Sequence, residues 1–258
     1  MSVTFISHGA PTVALADDDY VHALRRHGAS LQGARAIVVV SAHWETSKAA
    51  WLVTGAARPE TVHDFGGFAR ELYELEYPAP GQPELAAEVV ALLGASGLRS
   101  GLDQERGLDH GVWVPLRHLV PAANVPVVAV SMPRRRTPEE VVRLGRALAP
   151  LRDDGVALLG SGGVVHNLGL LAWGDDGAPV PDWAHDFDAW AVERARALDA
   201  EALCGFRSHH EARLAVPSTE HYDPLLFAVG AARAGDTMQE IYRGFSFGSL
   251  AMTCLAFG

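Results

Sequence analysis

Short runs of β-branched and other apolar residues alternate with amphipathic stretches from one end of the chain to the other. That alternation is the pattern of strands and helices built around a largely parallel sheet. Strands are expected over residues 3–7, 36–42, 50–54, 125–132 and 156–161, and helices over 19–31, 83–93, 137–152, 183–198 and 223–234. The best-marked helix start is Thr137-Pro138-Glu139-Glu140, with a capping hydroxyl, a proline in the first turn and an acidic residue three positions on. Residues 240–257 alternate apolar and small side chains around Gly244 and Gly248, as a terminal hairpin does. No repeat or linker interrupts the chain. The expectation is one α/β domain over residues 1–258, its central, mixed but largely parallel sheet flanked by helices and closed by a C-terminal hairpin. A helical excursion over 178–210 is the one departure left open.

Of the 258 residues, 48% are hydrophobic and 20% charged, a mix that supports a sizeable buried core. With 31 acidic residues against 21 Lys plus Arg, the net charge is -10, which argues against a partner made of nucleic acid. Two cysteines, Cys204 and Cys254, can build neither a disulfide framework nor a thiolate-rich zinc module, and a reducing cytoplasm fits them. The first eight residues lack the basic start and apolar stretch of a secretory leader. No apolar run approaches the ~20 residues of a membrane span. Lys48 is the only lysine and lies outside any Gly-rich phosphate loop, so neither P-loop nor lysine Schiff-base chemistry is expected. The run Arg134-Arg135-Arg136, between an expected strand and an expected helix, reads as a solvated loop.

Twelve histidines carry the functional signal. His8, His43 and His166 each stand at or just past the carboxyl end of an expected strand, where open α/β sheets place their ligand crevice. Gly9 beside His8, and Gly160, Gly162 and Gly163 before His166, are read as points where the backbone turns sharply and comes close to a ligand. His110 and His221 stand in loop-like surroundings and complete a set of five. His22, His27, His118, His185, His209 and His210 are read as structural or surface residues. Clustered imidazoles imply a metal without naming it, since Zn, Fe, Cu and Ni all accept them. Three histidines and a bound water would equally serve a zinc-dependent hydrolase.

At these positions the chain resembles the class III extradiol dioxygenases, in particular the 4,5-DOPA extradiol dioxygenase-like family related to the protocatechuate 4,5-dioxygenase beta subunit. The matching pieces are Ile6-Ser7-His8-Gly9-Ala10-Pro11, Val39-Val40-Ser41-Ala42-His43-Trp44, Thr61-Val62-His63-Asp64-Phe65-Gly66-Gly67-Phe68, Tyr77-Pro78-Ala79-Pro80-Gly81, Asp109-His110-Gly111-Val112-Trp113, Ser161-Gly162-Gly163-Val164-Val165-His166-Asn167-Leu168 and Glu220-His221-Tyr222-Asp223-Pro224-Leu225. The resemblance implies a catalytic domain spanning the chain that opens a catechol ring with O2, one divalent metal per chain, Fe(II) for activity, and Zn(II) as an occupant of purified protein. It implies His8, His43 and His221 as metal ligands, with His166 as a candidate fourth. It also implies His110 and His166 as catalytic residues, His166 moving protons and His110 donating to bound oxygen. Glu220 is the rival to His221, because many relatives use two histidines and a carboxylate. His63, Asp64, Phe65, Trp113, Asn167 and Tyr222 lie in matching pieces and are the weaker candidates for lining the substrate site. A non-catalytic binding protein on the same fold is the remaining alternative.

Overall fold

In a computed structural model describing residues 1–258, ten strands form in chain order. They are β1 (Val3–Ser7), β2 (Ala36–Thr46), β3 (Trp51–Thr54), β4 (Ser100–Asp103), β5 (Val127–Pro133), β6 (Val156–Gly162), β7 (Met238–Tyr242), β8 (Phe245–Ser246), β9 (Leu250–Ala251) and β10 (Cys254–Phe257). The helices are α1 (Asp19–Gly28), α2 (Pro83–Ala95), α3 (His110–Leu119), α4 (Pro138–Leu148), α5 (Asp182–Arg196), α6 (Ala200–Cys204), α7 (Ala212–Ala215) and α8 (Asp223–Ala231). Eight strands make one sheet in the order β4-β3-β5-β2-β6-β1-β10-β7, and β8 and β9 pair separately. The centre, β5-β2-β6-β1, is parallel. Antiparallel β10 and β7 complete the expected terminal hairpin on the β1 side.

Both faces of the central strands are buried, which is why their sequences read as unbroken apolar runs. Within β2, Val38 and Val40 pack into one layer with α2, α4, α5 and α8, while Ile37 and Val39 pack into the other with α1 and α3. The period-2 alternation thus divides one strand between two cores. α5 and α6, the segment left open as an excursion, pack Phe187, Ala191 and Leu203 into the first of these layers and belong to the same domain. The predicted capping box at α4 is formed, Thr137 Oγ1 accepting from Glu140 N and Glu140 Oε2 from Thr137 N. The helix expected to run to residue 152 stops at Leu148 and tightens into a 3-10 turn, because Pro150 has no N–H for the next α bond.

Three differences from expectation bear on the site. β2 runs on to Thr46, so His43 lies within the strand, where its pairing with β5 slips between Val40 and Glu45. His110 is not in a loop: it opens α3, a helix buried over nine of its ten residues and carrying an internal Pro115. The glycines of β6 are spent on the chain itself, since a Cβ on Gly160 would meet the Pro224 carbonyl at 2.2 Å and one on Gly162 the His221 carbonyl at 2.1 Å. They admit the segment that carries His221, not a ligand.

Candidate metal centre

β1, β2 and β6 lie side by side in the sheet, so their carboxyl ends form one rim, and the turn before α8 packs against it. His8 follows the last residue of β1, where Gly9 turns the chain with φ 69°. His8, His43 and His221 bring their Nε2 atoms together, 3.0 Å between His8 and His43 and 3.2 Å between His43 and His221.

What lies behind each ring fixes which nitrogen carries the proton. Ser161 Oγ donates its only hydrogen to the Gly111 carbonyl, so it accepts from His8 Nδ1–H at 3.0 Å. A carboxylate only accepts, and His43 Nδ1 faces Asp64 Oδ2 at 3.4 Å while His221 Nδ1 donates to Glu220 Oε1 at 3.2 Å. These partners place the proton of His8 and His221 on Nδ1, and the carboxylate facing His43 Nδ1 favours the same tautomer there, so that the three Nε2 lone pairs turn to one point. Burial first, and then the neighbouring imidazoles, push His8 and His221 well below the ordinary histidine range, and burial with His110 lowers His43 to about 3. The rings are neutral at neutral pH, with no proton between the facing acceptors.

Facing lone pairs at this spacing repel unless a cation sits among them. Two imidazole nitrogens bound to one metal at about 2.0–2.1 Å lie roughly 3.0–3.4 Å apart, and the observed separations match. The donor set thus fits a divalent metal, with Ser161, Asp64 and Glu220 as the outer partners that orient metal-bound imidazoles. Glu220, the rival to His221, has its Oε1 on the Nδ1 side of that ring, opposite the converging Nε2 atoms.

The two other histidines flank the trio. His166 stacks on His221, ring centroids 3.5 Å apart and planes within 5°. It groups with Glu220 and His221 rather than with His8 and His43, and burial lowers it to about 4. His110 donates both its backbone N–H and Nδ1–H to Asp64 Oδ1, each at 2.9 Å, and its ring centroid is 3.9 Å from that of His43. Burial alone would raise the Asp64 carboxyl, but the His110 hydrogen bonds and charge outweigh it and hold Asp64 down to about 2. All five histidines open on one cavity of about 190 Å³ whose apolar wall is Phe65, Phe68, Leu168, Trp173 and Leu250. A larger cleft of about 680 Å³, near Arg25 and His118, holds none of the five.

Of the weaker candidates, Phe65 lines the cavity and Asp64 holds His110 and His43. The other four are placed elsewhere. Trp113 is fully buried with Nε1 donating to the Val62 carbonyl, and Tyr222 is fully buried with its hydroxyl donating to Leu203. Asn167 caps the turn at Gly169 and donates to Leu214, and His63 bonds the Leu75 carbonyl behind Phe65. Sequence reasoning passed over Ser161 as a partner of His8, although its place beside β1 at the strand end carried that signal. Phe68 and Leu168 close two of the matching pieces without having been singled out, and nothing local marked Trp173 or Leu250.

A largely parallel sheet whose carboxyl rim, with the turn before α8, gathers three imidazole nitrogens makes an α/β scaffold able to hold a metal ion. Family comparison makes it particular: residues 2–250 match the family described as the catalytic LigB subunit of aromatic ring-opening dioxygenase, and the chain belongs to that family. It is an oxidoreductase of the dioxygenase class, which sets aside the hydrolase and the non-catalytic reading. It is 37% identical to 4,5-DOPA dioxygenase extradiol of Escherichia coli, over 100% of this chain and 95% of that protein. It is equally 37% identical to the enzyme of the same name from Beta vulgaris, over 96% and 92%. The crystal structure of an uncharacterized protein from Escherichia coli K12 superposes over 100% of both chains with a TM-score of 0.86 at 34% identity. No helix is long and apolar enough to cross a membrane.

Proposed function

We propose that this chain opens the ring of a catechol beside its two hydroxyls, using O2 and Fe(II) held by His8, His43 and His221, to give a muconic semialdehyde. The observation that carries this reading is the convergence of three unprotonated Nε2 atoms beside a cavity with room for a single ring. When bound, iron supplies a Lewis-acidic, redox-active point at which both reactants are held together. Zn(II) fits the same donors and, having no redox chemistry, is the expected inactive occupant.

The chain's own side chains supply the rest. His166, neutral and stacked on a ligand ring, accepts the proton of a catechol hydroxyl on a ring nitrogen and returns it as the O–O bond breaks. His110 commits Nδ1–H to Asp64, which anchors the ring at the cavity and leaves Nε2 as the nitrogen to meet bound oxygen or substrate. Phe65, Phe68 and Trp173 offer flat apolar surfaces to an aromatic ring, Trp173 from the exposed mouth of the cavity. The names of the relatives make DOPA the first catechol to try.

Anaerobic reconstitution with Fe(II), followed by oxygen uptake and visible absorbance on adding DOPA, protocatechuate and simple catechols, tests the reading. Stoichiometric oxygen consumption with a yellow product, abolished in His43→Ala, is expected. No uptake with any catechol at confirmed iron occupancy overturns it.

A further inference from the structure

The arginine run expected to be a solvated loop contains one side chain that is not solvated. Arg134 and Arg135 are exposed, whereas the side chain of Arg136 is only 3% accessible. Its Nη1 donates to Glu45 Oε1 at 2.6 Å and to the Pro133 carbonyl at 2.9 Å. On the other side Nε donates to Asp223 Oδ2 at 2.7 Å, and Nη2 lies 2.6 Å from the same oxygen at an angle that makes it an ion-pair contact only. Desolvating such a group offsets most of its Coulombic gain, so stability alone is a weak account of it.

Its position supplies a better one. Glu45 is two residues beyond His43, and Asp223 is two residues beyond His221. His43 sits on the irregular stretch of β2, whose pairing with β5 resumes only at Glu45. His221 sits on the turn before α8, whose first residue is Asp223. Neither histidine is held by regular pairing at its own position. The guanidinium that joins the two segments is itself fixed, between the end of β5 at Pro133 and the capped start of α4 at Thr137.

We infer that Arg136 is a positioning residue of the metal centre, clamping Glu45 to Asp223 and so setting the spacing of the His43 and His221 nitrogens. The inference rests on the three-histidine centre proposed above. A rigid planar fork serves both carboxylates at once, which the point charge of a lysine does not.

The test is Co(II) affinity of the full chain, read from the visible bands of bound Co(II), together with the melting temperature of metal-free protein. Arg136→Gln is expected to weaken Co(II) binding about 10–100-fold, as loss of an outer-sphere partner does, with Arg136→Lys recovering only part. A purely structural role would lower the metal-free melting temperature and leave affinity unmoved. A folded Arg136→Gln protein that binds Co(II) within about twofold of the unsubstituted chain overturns the inference. If Arg136→Gln does not fold, Glu45→Gln decides: a loss of about threefold or more supports the clamp, and unchanged affinity overturns it. His43→Ala separates the two claims, since unchanged Co(II) binding there brings down the three-histidine reading itself. Loss in His43→Ala with none in the Arg136 variants brings down the clamp alone.

Discussion

Replacing Gly162 by alanine tests whether the end of β6 acts as the seat for the His221 turn. The added Cβ would lie 2.1 Å from the His221 carbonyl oxygen, 3.0 Å from its carbonyl carbon and 3.0 Å from Pro224 Cγ. The first contact is with backbone, so no side-chain rotation relieves it. The carbonyl must retreat by roughly 1 Å or more, stretching the 2.7 Å hydrogen bond it accepts from Gly163 N. Overpacking of this kind costs about 1–3 kcal/mol, which lowers the melting temperature of a chain this long by roughly 2–10 °C. A metal site tolerates displacements of only about 0.2 Å in its ligand distances, so Co(II) affinity should fall at least about tenfold. Gly163→Ala is the internal control, because a Cβ there meets nothing nearer than His166 Cβ at 3.6 Å. Thermal melts of metal-free protein and Co(II) titrations of both variants decide the matter. If Gly162→Ala matches Gly163→Ala and the parent in both, the close approach does not position His221 and the reasoning fails.

Asp64→Asn keeps an acceptor for the His110 backbone but removes the charge shared by His110 and His43. Charged hydrogen bonds contribute about 1.5–3 kcal/mol, so kcat/KM should drop about 10–100-fold with the fold intact, and parental steady-state kinetics would refute the role given to this carboxylate. Asp236 pairs with Arg152 at 2.7 Å; burial alone would raise its carboxyl, but the Arg152 hydrogen bonds and charge outweigh burial and hold it below the usual range. A carboxyl with a depressed folded pKa contributes stability that is fully present above its unfolded value of about 3.9 and is lost as pH falls through the folded value. Asp236→Asn should therefore be less stable than the parent in urea melts at pH 7 and converge with it near pH 2, while a gap that persists in acid would count against the ion pair.

The central strands were legible because burial on both faces leaves an uninterrupted apolar signature, and α4 because its cap is written in four consecutive residues. α3 was not, since a helix with nine buried residues of ten and an internal proline shows neither an amphipathic face nor a clean start. Polar β4, on the sheet edge, has no strand signature either. Arg136 differs from Arg134 and Arg135 in nothing local, and only the tertiary meeting of β2, β5 and α8 distinguishes it. Trp113 and Tyr222 show the same limit from the other side: their motifs place them next to the site, and packing turns both into the core.

Three of the five histidines, His8, His43 and His166, could be singled out by pattern because of the topology. The five are scattered from residue 8 to residue 221 and form no short metal-binding motif of the His-Glu-x-x-His kind. Parallel strands all present their carboxyl ends to one edge, so residues that each follow a buried apolar run are delivered to a common rim whatever separates them in the chain. The two histidines that do not follow a strand, His110 and His221, stand at or just before the starts of α3 and α8, and no strand signal could have placed them there. Strand ends are thus readable from pattern alone, whereas helix starts join the site through contacts such as those of Asp64 and of Gly162, which only the folded chain reveals.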